Sequence, residues 1–254
     1  MTTTPPSAPT PARTLDPEHL ESVVIRFSGD SGDGMQLAGG QFAATSAILG
    51  NDIATFPDFP AEIRAPKGTT FGVSGFQLQF SSTDIHTPGD MVNALIAMNP
   101  AGLKVNLADV ASGGIVIANA DEFNDVNLKK CGYPEGYSPL NDEQINTSYQ
   151  VFAVPMSRLT REALADAQMS VKEIDRCRNM FALGVAYWLF ERDIDATVEH
   201  VNEYYGVAKK RPDVADANIK VLKAGYYFGE NAELFPARYR VPPAQLKAGA
   251  YRQI

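Results

Sequence analysis

The residues best placed to do chemistry are Gly29, Ser31, Gly32, Gly34 and Met35, in the run Ser28-Gly29-Asp30-Ser31-Gly32-Asp33-Gly34-Met35. An apolar run, Val23 to Phe27, precedes them and a helix-like segment from Gln36 to Leu49 follows. A strand, a glycine-dense turn and a helix in that order converge backbone N–H groups on the helix N-terminus, where an anion is stabilised. The turn is not a Walker A loop, because no Gly-Lys-Ser/Thr follows. It is not G-x-G-x-x-G either, because Leu37 stands where the third glycine is needed. Nor does an acidic residue end a second strand about 20 residues on, as a ribose-binding carboxylate does. Asp30 and Asp33 would repel a phosphate, but either can cap the helix or fix the turn. On spacing alone, a phosphate cradle and a purely structural turn both stay open.

Three further clusters qualify. In Phe56-Pro57-Asp58-Phe59-Pro60-Ala61-Glu62-Ile63-Arg64-Ala65-Pro66-Lys67-Gly68, Arg64 and Lys67 are candidate anion contacts, and Glu62 can orient Arg64. A stiff, charged loop after a parallel strand lies at the carboxyl edge, where open sheets bind ligands. The alternative is a solvated loop with a local ion pair. At Met98-Asn99-Pro100, Asn99 offers both a donor and an acceptor, with Lys104 one turn further on. Asn99 is equally suited to cap the next helix. Cys177-Arg178-Asn179-Met180 is best explained by Met180 in the core and a polar outer face.

No nucleophile–base pair, carboxylate dyad or metal shell is evident, so neither a catalytic nor a metal-ligating residue is expected. The three histidines, His19, His86 and His200, have no metal spacing. Two cysteines, Cys131 and Cys177, are too few for an iron–sulfur cluster or a four-ligand zinc site and suit reduced thiols in the cytoplasm. The chain has 254 residues and a formal net charge of -8, which argues against nucleic acid. No stretch approaches the roughly 18 apolar residues that span a bilayer. Met1 to Pro11 is rich in Thr, Pro, Ser and Ala, and reads as a disordered tail rather than a signal peptide.

The elements that must position these residues alternate. Strands are expected over 23–28, 52–56, 71–80, 93–98, 115–118 and 150–155, with a bulge at Ser74-Gly75 where the apolar phase slips. Helices are expected over 36–49, 101–107, 122–130, 197–205 and 214–228. A capping box at Ser170–Glu173 opens a further long helix running through Leu189. This order predicts an α/β fold: a three-layer α/β/α domain with a largely parallel sheet, a helical C-terminal part and an irregular C-terminal arm. The expected organisation is a tail over 1–20, one domain over 21–230, and a linker or arm over 231–254.

Four stretches in order, Val24 to Gln36, Phe59 to Pro66, Ala97 to Pro100 and Asn179 to Gly184, resemble the gamma domain of 2-oxoacid:ferredoxin oxidoreductases. The nearest subtype is the fused gamma–alpha subunit of 2-oxoglutarate:ferredoxin oxidoreductase. The resemblance implies oxidative decarboxylation of a 2-oxoacid to an acyl-CoA in central carbon metabolism. Thiamine diphosphate, Mg and an iron–sulfur cluster would sit only on partner alpha and beta subunits or domains, and ferredoxin would be an indirect partner. The gamma domain would pack on those partners, be inactive alone, and help close over coenzyme A as a shared co-substrate. Gly29, Ser31, Gly32, Gly34, Met35, Arg64, Asn99 and Lys104 would then face coenzyme A. Many family members carry Arg and Gln in the glycine turn; this chain has Asp30 and Asp33, as the fused subtype does. In that subtype a thiamine pyrimidine-binding domain follows. This chain reaches Ile254 where that domain would begin, so it reads as a separate gamma-type subunit or as a piece of a fused one. Two other readings remain: a scaffold subunit that binds no ligand, and a free-standing Rossmann-like nucleotide binder, against which the missing ribose-binding acid counts.

Overall fold

A computed structural model describes residues 16–59, 72–232 and 234–245. The elements in chain order are β1 (Glu18–His19), β2 (Ser22–Asp30), α1 (Met35–Ile48), β3 (Asp52–Asp58), β4 (Val73–Ser81), β5 (Val92–Ala97), α2 (Pro100–Asn106) and β6 (Val110–Asn119). Then come α3 (Asp125–Lys130), α4 (Glu143–Ser148), β7 (Gln150–Val154), α5 (Met156–Ala163), α6 (Val171–Asp175), α7 (Arg178–Leu189), α8 (Asp195–Val201), α9 (Pro212–Asn231) and β8 (Tyr239–Arg240). A π-helical segment, Asn202–Ala208, follows α8.

Alternation along the strands builds two cores. Val23, Ile25 and Phe27 of β2 point to one face, with Ile96, Ile117 and Phe152 from β5, β6 and β7. Val24, Leu95, Val116 and Ala118 point to the other, under Leu103 of α2 and Leu128 of α3. Strands buried on both faces are what helices on both sides require. The sheet has six strands in the order β3-β4-β2-β5-β6-β7. The β2–β5, β5–β6 and β6–β7 pairs are parallel, and β4 runs antiparallel to both of its neighbours. The three-layer, largely parallel architecture is therefore the one expected.

Two local expectations are corrected. No bulge interrupts β4 at Ser74-Gly75, because pairing with β2 is continuous from Val73 opposite Asp30 to Ser81 opposite Ser22. Val73 and Phe76 simply lie on opposite faces, so the apparent slip is a change of side. The capping box at Ser170 forms, but its helix ends at Asp175 and a new helix starts at Arg178. Between them Cys177 N–H donates to the Ile174 carbonyl at 2.9 Å, a tight turn.

Residues 234–245, which follow α9, form no helix and are docked. β8 pairs in parallel with β1, and Phe235 is buried against Trp188 and Phe152. No helix among the described residues is long and apolar enough to cross a membrane.

Helix α7 is buried from Asn179 to Leu189, pressed between the sheet side and α9. It meets α9 backbone to backbone. A Cβ on Gly184 would lie 2.2 Å from the Leu222 carbonyl oxygen, and one on Gly225 2.1 Å from the Phe181 carbonyl oxygen. Gly225→Ala is expected to cost at least about 2 kcal/mol, since neither backbone can yield without opening the core. Gly40 of α1 has open space around it, so Gly40→Ala is expected to stabilise by about 0.5–1 kcal/mol. Urea unfolding midpoints at unchanged m distinguish the two; a Gly225→Ala midpoint equal to wild type would refute the backbone contact.

Candidate functional site

Strand β2 delivers the chain to the carboxyl edge of the sheet at Asp30, and α1 starts only five residues later. Glycine is required at two positions of this turn. A Cβ on Gly29 would meet Asp33 Oδ2 at 2.6 Å and Met98 Cβ at 3.0 Å, and Gly34 has φ 73 with Asn179 Nδ2 2.5 Å from a Cβ. Ser31 and Gly32 form the exposed tip. Met35 is 1% exposed and packs in the core beneath the turn, so its side chain offers no ligand surface; only its backbone N–H is at the helix start. Gly34 is the N-cap and no side chain caps α1. The first-turn N–H groups thus keep their capacity for an anion.

Asp33 fixes the turn instead of capping the helix. Its Oδ2 accepts the Asp30 N–H at 2.8 Å and Asn99 Nδ2 at 3.3 Å. Its Oδ1 accepts Nη2 of Arg178, the first residue of α7, at 2.5 Å. Asp33 is buried, with 4% of its side chain exposed, and Arg178 retains 22%. Arg178 also donates through Nη1 to Glu122 Oε1 at 3.0 Å. Burial opposes the Arg178 charge, but Asp33 and then Glu122 outweigh it and hold the guanidinium above its ordinary pKa. Glu122 Oε1 further accepts Ser157 Oγ at 3.3 Å, and Asn119 Nδ2 donates to the same hydroxyl at 3.0 Å. One polar network therefore joins the carboxyl ends of β2 and β6 to the starts of α5 and α7.

The other predicted residues fall unevenly around this network. Asn99 caps α2, accepting the Gly102 N–H at 2.8 Å, while its amide braces Asp33. Lys104 is corrected: it lies on the opposite helical layer, with Nζ donating to the Cys131 carbonyl at 2.6 Å and 5.0 Å above the Tyr133 ring. Its place on α2 points it toward α3, not the glycine turn. Arg64, with Glu62 and Lys67, lies outside the described residues. The strands flanking that segment end beside the turn: Val73 pairs with Asp30, and Gln36 Nε2 donates to the Asp58 and Gly75 carbonyls at 3.1 and 2.8 Å.

A groove of about 390 Å³ opens next to the turn, between Leu37 of α1, Cys177 and Asn179 at the start of α7, and the segment after α8. Arg176 and Lys209 line it; Lys209 Nζ sits 5.3 Å over the Tyr204 ring, which also lines the groove. The π-helical turn carries Tyr204, and such turns recur at functional sites. Asn179 is buried and its Oδ1 has no hydrogen-bond partner. The start of α7, like that of α1, has no side-chain cap. Burial, then Glu173, pushes the Cys177 thiol up to about 11, which rules it out as a thiolate nucleophile at neutral pH. Among the described residues, no three of His, Cys, Asp or Glu are placed to hold a metal ion.

Sequence reasoning missed Glu122, Lys209 and Arg176, and it read Arg178 as part of a polar outer face, which is corrected: Asn179 is buried and Arg178 turns inward to Asp33 and Glu122. A usable signal existed for the inward role of Arg178, since an aspartate buried in a glycine turn demands a cation. The basic run Lys209-Lys210-Arg211 was a signal for the groove.

The sequence profile of the family described as pyruvate ferredoxin/flavodoxin oxidoreductase matches residues 24–228. The 2-oxoglutarate oxidoreductase subunit KorA of Mycobacterium tuberculosis is 47% identical over 239 residues, covering 94% of this chain and 36% of that protein. A solved 2-oxoglutarate:ferredoxin oxidoreductase from Magnetococcus marinus, with 2-oxoglutarate, coenzyme A and succinyl-CoA bound, aligns at 25% identity with a TM-score of 0.67, over 89% of this chain and 34% of that one. The gamma subunit of a keto/oxoacid ferredoxin oxidoreductase from Geobacter sulfurreducens shares the fold, with a TM-score of 0.52 at 21% identity over 82% of this chain and 98% of that one. The chain thus spans 36% of the Mycobacterium relative and 34% of the Magnetococcus chain.

Asp33→Ala is expected to cost about 3–5 kcal/mol, because it leaves Arg178 partly buried beside a gap and frees the turn from Asn99. Lys104→Ala, which loses one carbonyl contact at the surface, is expected to cost under about 1 kcal/mol. Equilibrium unfolding of both variants checks the contrast; equal small losses would remove Asp33 from its central place.

Proposed function

The chain belongs to the pyruvate ferredoxin/flavodoxin oxidoreductase family, and we propose that it forms the gamma-type portion of a cytoplasmic 2-oxoglutarate:ferredoxin oxidoreductase, closing over coenzyme A against its partners. The observation that carries this reading is the groove where the uncapped starts of α1 and α7 meet Lys209, Arg176 and the Tyr204 ring. Coenzyme A carries phosphates, a flat adenine and amide N–H groups. Helix starts and cations suit the first, an exposed aromatic ring the second, and the unpartnered Asn179 Oδ1 a donor such as an amide or amino N–H. The 47% identity with the Mycobacterium subunit supports 2-oxoglutarate as the acid.

In this reading the backbone of Gly29, Ser31, Gly32, Gly34 and Met35 faces the ligand, Asn99 and Asp33 hold that backbone in place, and Arg64 adds charge from the neighbouring segment. Coenzyme A supplies the thiol that accepts the acyl group. Decarboxylation on thiamine diphosphate with Mg, and electron transfer through the iron–sulfur cluster to ferredoxin, belong to the alpha and beta partners. This chain binds and orients the co-substrate and excludes water from its phosphates.

A second reading has one observation behind it. Asp33 is fully satisfied by Arg178, Asn99 and the Asp30 N–H, as a purely structural turn would be. In that case the chain bridges subunits and binds nothing. Reconstitution with alpha and beta partners separates the two. Lys209→Ala and Arg64→Ala are each expected to raise the apparent KM for coenzyme A about tenfold, the equivalent of 1.4 kcal/mol, with kcat retained. Lys104→Ala is expected to leave KM unchanged. If the Lys209 and Arg64 variants both keep the wild-type KM, the scaffold reading stands.

A further inference from the structure

The helix that begins as α8 does not stop at Val201. Val201 and Asn202 both keep helical backbone angles, φ -62 with ψ -42 and φ -63 with ψ -46, so the chain passes without a break into the π-helical segment Asn202–Ala208. The change of pitch decides which residue stands over Tyr204. In an α-helix that place falls four residues on, to Ala208. Here it falls five residues on. Lys209 N–H donates to the Tyr204 carbonyl at 3.0 Å, and Lys209 Nζ lies 5.3 Å over the centre of the Tyr204 ring. On the preceding turn the spacing is the ordinary four, and the His200 ring lies 6.0 Å from the Tyr204 ring at 7° to it. Tyr205, 4.9 Å away and at 89°, fixes the tilt of the ring. His200 stands one turn before Tyr204 and Lys209 one turn after it, so the two flank the ring along the helix.

Tyr204 is 43% exposed and lines the groove, as do Lys209 and Arg211. The two cations are held differently. Arg211 is fixed by Asp213 at 2.7 Å and Glu173 at 3.3 Å. Lys209 forms no ion pair among the described residues, and its ammonium rests on the Tyr204 ring. An exposed cation–π contact is weak, whereas a charge-assisted hydrogen bond to a phosphate is strong. The four-carbon stem of lysine is flexible enough to exchange one for the other. A phosphate in the groove therefore takes the ammonium off the ring, and a flat base can then stack where it lay.

We propose that Lys209 gates the adenine face of Tyr204, covering it until a phosphate of the same ligand draws the ammonium away. The groove then selects molecules that carry phosphate and adenine together. An uncharged adenine nucleoside is disfavoured, because it must lift the lysine with no anion to receive it. This rests on the coenzyme A reading of the groove, and it adds that one residue acts in opposite senses on the two halves of that ligand. Lys209 favours the phosphates and opposes the bare base.

The test is titration calorimetry on the complex reconstituted with alpha and beta partners, with coenzyme A and adenosine as probes. Lys209→Ala is expected to weaken coenzyme A about tenfold and to tighten adenosine at least about threefold, with coenzyme A displacing the adenosine. Lys209→Met keeps a neutral cover on the ring, so it is expected to weaken coenzyme A equally and to gain no adenosine affinity. The gate is overturned if Lys209→Ala binds adenosine no tighter than wild type, if Lys209→Met gains as much as Lys209→Ala, or if coenzyme A does not displace the adenosine. In each of those cases a tenfold loss of coenzyme A affinity in Lys209→Ala still leaves the groove as the coenzyme A site. A Lys209→Ala complex that binds coenzyme A as wild type does also overturns the gate, since the lysine then meets no phosphate. If coenzyme A fails to bind the wild-type complex, or binds Lys209→Ala and Arg64→Ala both as tightly as wild type, the coenzyme A reading falls and the gate with it.

Discussion

The buried contact between Asp33 and Arg178 is the constraint on which the site depends. It ties the turn after β2 to the first residue of α7 across 145 positions of sequence. Asp33 reaches that contact only because Gly29 and Gly34 leave it room and curl the backbone around it. Arg178 reaches it only because the helix after the capping box stops at Asp175 and a new one starts three residues later. Without Arg178, Asp33 would be a buried carboxylate without a counter-ion, which is among the most costly defects a core can carry. The pair also sets the direction of α7, whose middle closes on α9 with no side chains between the backbones at Gly184 and Gly225. An error at the turn is therefore transmitted into the largest packed face of the molecule.

The two sheet edges use arginine in opposite ways. At the carboxyl edge Arg178 is saturated by Asp33 and Glu122, so its charge organises the protein and is not available to a ligand. At the amino edge Glu191 is shared by two arginines, and among the described residues Arg192 forms no ion pair, though Glu191 lies near enough to favour its charge. A chain with a net charge of -8 has no shortage of carboxylates. Leaving one buried guanidinium without a direct ion pair is a local arrangement, not a consequence of composition.

Period and punctuation made most of the fold legible. The run Val23 to Phe27, the stop at Gly50-Asn51, the box at Ser170 and the strand 115–118 each appear close to where local chemistry puts them. The short helices α4 and α5 escaped notice because six and eight residues carry little periodicity, and α5 follows directly on Pro155. The site was legible only in part. Asn99 carried two readings, cap and ligand, and the capping contact is the one formed. Lys104 was placed one turn from Asn99 correctly, but along a helix that spacing puts a side chain on a face, and nothing local says that Cys131 and Tyr133 wait on that face. The pairing of Arg178 with Asp33 and Glu122 is illegible for the same reason: it is a contact whose sequence separation no motif spans.

The carboxylates in the turn raised the main objection to an anion there, and the structure changes its force. A bare aspartate beside a helix start repels a phosphate through a weakly screened field. Asp33 is not bare. Its oxygens are held by a guanidinium, an amide and a backbone N–H, and all of these point it inward, beneath the turn. Asp30 turns an oxygen onto the Ser31 N–H at 2.7 Å. The start of α1 keeps no side-chain cap, and Leu37 in its first turn lines the groove that the start of α7 also borders. The acid that argues against a ligand in the sequence is, in the fold, the internal brace of the turn, with Arg178 absorbing the charge this requires.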